Sequence, residues 1–208
     1  MRPAVDWSLY LVTDRALAGG RPIEWVVQQA VEGGVSVVQL REKACPTGAM
    51  VELARRLKAL LSPRGVPLIV NDLPEVALAA GADGVHVGQR DAAPADARRL
   101  LGPDALIGLS VETPEQAAVA EALDVDYLGV SPIFSTPTKP DTEREWRLEG
   151  LRRLRSASHH TLIAIGGIQE SNAADVVGAG ADGIAVVSAI CAAEDPREAA
   201  RRLRRIIE

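Results

Sequence analysis

The chain has 208 residues, 47% hydrophobic and 25% charged, a balance that suits a globular domain. A net charge of −5 with only 3% aromatic residues argues against nucleic acid or an anionic membrane surface as a partner. No run approaches the roughly 18 apolar residues of a membrane span, and the start, Met1-Arg2-Pro3-Ala4-Val5-Asp6-Trp7, lacks the apolar core of a signal peptide, so a cytoplasmic location is expected.

Eight short apolar runs follow in order: Leu9–Thr13, Val37–Leu40, Leu68–Val70, Gly84–Val87, Leu106–Leu109, Tyr127–Val130, Leu162–Ile165 and Gly183–Val187. They are continuous rather than alternating, as in strands covered on both faces of a parallel sheet. Helical stripes lie between them, among them Ile23/Val26/Val27/Ala30/Val31, Met50/Leu53/Leu57/Leu60/Leu61 and Ala199/Leu203/Ile206/Ile207. Thr113-Pro114-Glu115-Gln116 has the form of a capped helix start, with a reach-back glutamine, and Asp195-Pro196 is another start. Ala80-Gly81-Ala82-Asp83-Gly84 recurs 99 residues later as Ala179-Gly180-Ala181-Asp182-Gly183, each placing a glycine past a helix end. Eight units in 208 residues are 26 residues each, which predicts a single (β/α)8 TIM barrel over 1–208, with an open doubly wound sheet as the alternative.

In such a barrel the chemistry sits where strands run into the following loops. The second run ends Gln39-Leu40-Arg41-Glu42-Lys43, with Gln39, Arg41 and Lys43 spaced by two and therefore on one face. The third ends in Asn71-Asp72 and the fourth leads to Asp91, placing two carboxylates on adjacent strand ends. Hard oxygens of this kind, combined with a substrate phosphate, suit Mg²⁺; a helix cap is the plainer role for each aspartate alone. Ser110 closes the fifth run. The sixth breaks at Ser131-Pro132 into a stiff loop carrying Ser135, Thr136, Pro137, Thr138 and Lys139, a group suited to an oxygen-rich anion. Gly166-Gly167 after the seventh run and Ser188 near a helix start after the eighth match the usual phosphate position of the fold. His86, flanked by Val85 and Val87, is expected to be structural, and His159-His160 to lie at the surface, away from the strand ends that matter. Cys45 and Cys191 make no metal pattern and no disulfide framework. Neither a catalytic triad nor a zinc spacing stands out.

Read together, these motifs make the chain resemble thiamine-phosphate synthase, from Leu9-Tyr10-Leu11-Val12-Thr13-Asp14 to Val187-Ser188. They are Gln39–Lys43, Val70-Asn71-Asp72, Gly84–Gln89 with Asp91, Gly129–Phe134 leading to Thr136–Lys139, and Ile165–Ile168. The resemblance implies an enzyme, a transferase that joins 4-amino-2-methyl-5-hydroxymethylpyrimidine diphosphate to 4-methyl-5-(2-hydroxyethyl)thiazole phosphate, giving thiamine phosphate and pyrophosphate. It implies that Gln39, Arg41, Lys43, Asn71, Ser110 and Lys139 hold the pyrimidine diphosphate and that Asp72 and Asp91 hold Mg²⁺ on it. Thr136, Thr138, Gly167, Val187 and Ser188 would hold the thiazole phosphate. The pyrimidine amino group can feed electrons to the methylene carbon as the diphosphate leaves, so a dissociative substitution with no protein nucleophile fits the missing triad. The chain departs from many relatives at Glu112, where they carry histidine. The alternatives are a thiazole tautomerase, another phosphate-binding barrel with an acid–base pair, and a non-catalytic ligand-binding barrel. Retention of Arg41, Lys43, Asp72, Asp91 and Lys139 together favours the synthase.

Overall fold

A computed structural model describes residues 4–42, 45–136 and 145–208. Eight strands, β1 (Leu9–Val12), β2 (Val37–Leu40), β3 (Leu68–Asn71), β4 (Gly84–Val87), β5 (Leu106–Val111), β6 (Tyr127–Val130), β7 (Thr161–Ile165) and β8 (Gly183–Val186), pair in parallel with their chain neighbours. β8 returns to β1, so the barrel is closed and the open-sheet alternative falls. Each apolar run forms one strand. β3 reaches Asn71 and β5 reaches Val111, so Ser110 lies inside a strand rather than beyond it. The extra length costs nothing in solvation, because both residues stay in a ladder with their neighbours: Asn71 pairs with His86 and Val111 with Val130.

Helices α1 (Ile23–Glu32), α2 (Thr47–Leu61), α3 (Pro74–Ala80), α4 (Pro94–Leu101), α5 (Pro114–Ala120), α6 (Arg147–Ala157) and α7 (Ala173–Gly178) ring the sheet, followed by the one-turn α8 (Ser188–Cys191) and by α9 (Pro196–Ile207). Their apolar stripes face inward: Ile23, Val26, Val27 and Ala30 on α1, and Met50, Leu53, Leu57 and Leu61 on α2 are buried. Alternate strand residues, such as Leu9, Leu11, Val38, Leu40, Leu68 and Val70, meet these stripes in the outer core. The other set, including Tyr10, Val37, Ile69, Leu106, Tyr127 and Ile163, fills the barrel itself. That division into two cores is why the strands show continuous hydrophobicity. Thr113 Oγ1 caps α5 by accepting from the Gln116 N–H, and Asp195 caps α9 by accepting from the Glu198 N–H. The glutamine reach-back lands one residue early: the Glu112 N–H, not that of Thr113, donates to Gln116 Oε1 at 2.7 Å.

The recurring Ala-Gly-Ala-Asp-Gly segments do more than end helices. Asp83 Oδ2 accepts the Leu68 N–H at 2.8 Å, and Asp182 Oδ2 accepts the Leu162 N–H at 2.8 Å. Asp126 Oδ2 does the same for Ile107 at 2.7 Å, and Ser36 Oγ for Leu9 at 3.1 Å. In every case the same residue's own N–H donates back to the carbonyl of that partner. The residue before each even strand thus clamps the start of the odd strand beside it. A cation from the outer ring completes three of these clamps: Lys58 on Asp83, Arg98 on Asp126 and Arg155 on Asp182.

Candidate active site

Strand period two sends Tyr10, Gln39, His86, Ser110 and Tyr127 into the barrel, where they form one connected chain of hydrogen bonds. Gln39 Nε2 donates to the Tyr10 hydroxyl at 3.0 Å, and that hydroxyl bonds the Tyr127 hydroxyl at 2.8 Å. The Tyr127 oxygen lies 2.9 Å from His86 Nδ1, and His86 Nε2 lies 2.8 Å from Ser110 Oγ. Burial pushes both phenols well above their usual range, so they remain protonated. Glycines make room for this chain: a Cβ on Gly108 would stand 2.1 Å from Tyr127 Cζ, and one on Gly129 would stand 2.8 Å from His86 Cε1. Below it, the Trp7 ring packs 4.6 Å from Tyr127. His86 is 9% exposed, bonds Tyr127 and Ser110 inside the barrel and also borders the mouth.

Above this layer the strand ends open into a cavity of about 940 Å³. Gln39, Arg41, Asn71, Asp72, Asp91, Ser110, Thr136, Gly167, Val187 and Ser188 all line it. Lys43, Thr138 and Lys139 lie outside the described residues. Gln39 and Arg41 share one face of β2 and its extension, and the Arg41 guanidinium stands 3.8 Å from Asp14. Arg41 is held by its N–H, which donates to Thr13 Oγ1 at 3.0 Å. Asp72 follows β3 with φ of 65°, an unusual conformation for a residue with a side chain. Its N–H donates to the His86 carbonyl at 2.8 Å, which ties the bend to β4. Asp91 Oδ2 accepts the Gly88 N–H at 2.7 Å, so one of its two oxygens closes the turn after β4.

The opposite wall is built from backbone. Gly166 and Gly167 have φ of 103° and 64°, which glycine adopts without strain. A Cβ at Gly167 would meet Phe134 Cβ at 2.8 Å and the Ser135 carbonyl oxygen at 2.9 Å. The close approach allowed here is therefore that of the loop after β6, which Ile133 and Phe134 fasten by donating to the Ile165 and Gly166 carbonyls. Asn172 Nδ2 holds the Gly167 carbonyl at 3.0 Å. Ser188 is exposed at the start of α8.

Gln89, Arg90, Gln116 and Ser131, none of them a candidate from the sequence, also line the mouth, as does Glu112, which the sequence marks as a departure from relatives. Gln89 had one visible signal, its place in Gly84–Gln89; its Nε2 donates to the Ser110 carbonyl at 2.7 Å and so joins β4 to β5. His159 is exposed and lies with His160 just before β7, at the rim opposite the mouth, as expected.

Comparison with known proteins agrees with this geometry. The profile of the family described as thiamine monophosphate synthase matches residues 9–190. A thiamine-phosphate synthase of Albidiferax ferrireducens is 58% identical over 200 residues, covering 96% of this chain and 91% of that protein. The solved structure of a thiamine phosphate pyrophosphorylase from Pyrococcus furiosus superposes with a TM-score of 0.90 at 40% identity, covering 97% of this chain and 96% of that one. A 3-hexulose-6-phosphate synthase structure at 18% identity, with a TM-score of 0.70, shares the fold alone.

Proposed function

The chain belongs to the thiamine monophosphate synthase family and is a transferase that makes thiamine phosphate, and from that premise we propose how its mouth divides between two substrates. The pyrimidine diphosphate takes the β2–β5 side, held by Gln39, Arg41, Asn71 and Ser110 together with Lys43 and Lys139. The thiazole phosphate takes the β6–β8 side, held by Thr136, Thr138, Gly167, Val187 and Ser188. The observation that carries this division is the contrast between the two walls of one cavity: side-chain charge at Arg41, Asp72 and Asp91, and glycine backbone with small hydroxyls at Gly166, Gly167 and Ser188.

A divalent cation fits the charged side. Asp72 and Asp91 offer hard carboxylate oxygens, and the Gly88 bond occupies only one of the two on Asp91. We assign Mg²⁺ to this pair, with the substrate diphosphate as its other partner. When bound, it would offset the charge that develops on the leaving pyrophosphate.

The residues present then have plain tasks. Arg41 and Lys43 bind and orient the diphosphate, so that the C–O bond to the pyrimidine methylene breaks with its electrons passing to a stabilised pyrophosphate. The opposite wall presents the thiazole nitrogen in line, and its lone pair forms the C–N bond with the methylene cation left once the C–O bond has broken. No side chain has to act as nucleophile. Ser188→Ala tests the division: loss of a hydrogen bond to a charged group should raise KM for the thiazole phosphate about tenfold. KM for the pyrimidine diphosphate should stay within about twofold of wild type. An equal rise in both would refute the two-wall division.

A further inference from the structure

On the rim opposite the mouth, α5 ends at Ala120 and β7 begins at Thr161. Three side chains with metal-binding atoms meet there. Glu121, His159 and His160 each bring one such atom, and all three lie within 4.8 Å of one another. Glu121 Oε2 and His159 Nδ1 are 2.7 Å apart, and the two imidazole rings lie with centroids 5.0 Å apart. The site is partly built already. Buried Ser158 donates its hydroxyl to Glu121 Oε1, which orients the carboxylate. His160 Nε2 lies 3.2 Å from the Ala120 carbonyl, and its backbone N–H donates to Ser158 Oγ at 3.2 Å, so ring and backbone are both held.

We propose that Glu121, His159 and His160 form a binding site for a divalent transition-metal ion of the zinc class, separate from the hard-cation pair at the mouth. Two imidazoles and one carboxylate are ligands such ions favour, and water completes the tetrahedron. Ligands about 2.0–2.1 Å from a tetrahedral ion stand about 3.3 Å from each other, so small side-chain rotations bring three atoms that lie within 4.8 Å into range. The ligands come from positions 121 and 159–160, so the ion ties the end of α5 to the start of β7 across the whole β6–α6 unit. Strand starts are the stability rim of this fold, and a bound ion there favours the folded state by mass action.

The test is calorimetric titration with Zn²⁺ under excess Mg²⁺, which keeps the mouth carboxylates supplied with their preferred ion. Wild type should bind one Zn²⁺ per chain and gain thermal stability. His160→Ala should weaken binding at least about tenfold, by the scale of lost metal-site contacts, and His159→Ala/His160→Ala should abolish both binding and the Tm gain. The double Asn variant keeps polarity and gives a second, independently folded check, with circular dichroism as control. Turnover with Mg²⁺ should be unchanged in either double variant. Absence of Zn²⁺ binding in wild type, or undiminished binding in a folded double variant, would overturn the site and leave an ion-pair cluster.

Discussion

The two rims of this barrel are built on opposite plans. At the strand starts one device repeats around the ring: Ser36, Asp83, Asp126 and Asp182 each precede an even strand and clamp the odd strand beside it. At the strand ends no single device runs around the ring. Arg41, Asn71-Asp72, Asp91, Ser110, Gly166-Gly167 and Ser188 mix a cation, an amide, carboxylates, hydroxyls and bare backbone. Repetition serves a task shared by all units, which is fixing strand register. At the other rim no such shared task applies, and the strand ends give the cavity walls of different chemistry. In a barrel of near-equivalent units, departure from the internal pattern is thus itself a functional signal, legible without any alignment.

The largest expected effect tests the non-repeating rim. Asp72→Asn and Asp91→Asn should each cut turnover by about 10²-fold, the scale of a lost electrostatic partner in the transition state, with unchanged circular dichroism. Either folded variant retaining wild-type turnover and Mg²⁺ dependence would reduce that aspartate to a turn cap.

At the repeating rim the expected effects are on stability and follow burial. Asp126 and Arg98 side chains are 10% and 13% exposed, whereas Asp182 is 46% exposed. Asp126→Ala leaves the Ile107 N–H without its acceptor and removes one of two carboxylates from the buried Arg98, which keeps Asp124 at 3.1 Å, and should cost about 2 kcal/mol. For a chain of this size that is a fall in Tm of about 4–8 °C. Asp182→Ala should cost about 1 kcal/mol, most of it the Leu162 N–H, because the exposed pair itself contributes little. Both variants should keep wild-type turnover while folded. Equal losses of stability, or a fall in kcat, would blur the distinction between rims.

A smaller effect sharpens it. Cys191 sits behind the mouth, its thiol facing the Val12 carbonyl at 3.7 Å and pushed up to about 11 by burial. It should resist thiol reagents at pH 8 in the native enzyme and react on unfolding. Rapid native modification would show that the β8–α8 wall opens.

Much of this was legible in the sequence. All eight strands are visible because burial on two faces leaves continuous apolar runs, and the strand ends Asn71-Asp72 and Gly166-Gly167 announce themselves by breaking those runs. The inner hydrogen-bond chain was not visible. Tyr10 and Tyr127 are 117 positions apart, and no local pattern says that their hydroxyls meet. The rim clamps were half visible. The repeated Ala-Gly-Ala-Asp-Gly segments draw attention to their glycines, while the aspartates do the clamping, and the equivalent residues Asp126 and Ser36 lie outside any matching segment. Gly167 was seen as a place for a ligand to approach, whereas its immediate neighbours are Phe134 and Ser135. A glycine reveals that something comes close but not what.

The inner chain also has a polarity. With Gln39 donating to Tyr10 and His86 neutral with its N–H on Nε2, every link can be made at once: Tyr10 donates to Tyr127, and Tyr127 donates to His86 Nδ1. In that arrangement the imidazole N–H is directed at Ser110 Oγ, and the serine's own proton is left for another acceptor. A relay that starts at one amide on β2 then lets a hydroxyl on β5 offer the mouth a donor, the sense an anionic guest requires. Replacing Gln39 with glutamate would turn the first link into an acceptor and allow the relay to run backwards, with Ser110 then presenting a lone pair to a negative charge. Because Gln39 itself lines the cavity, that change would act on an anion there both directly and through the relay.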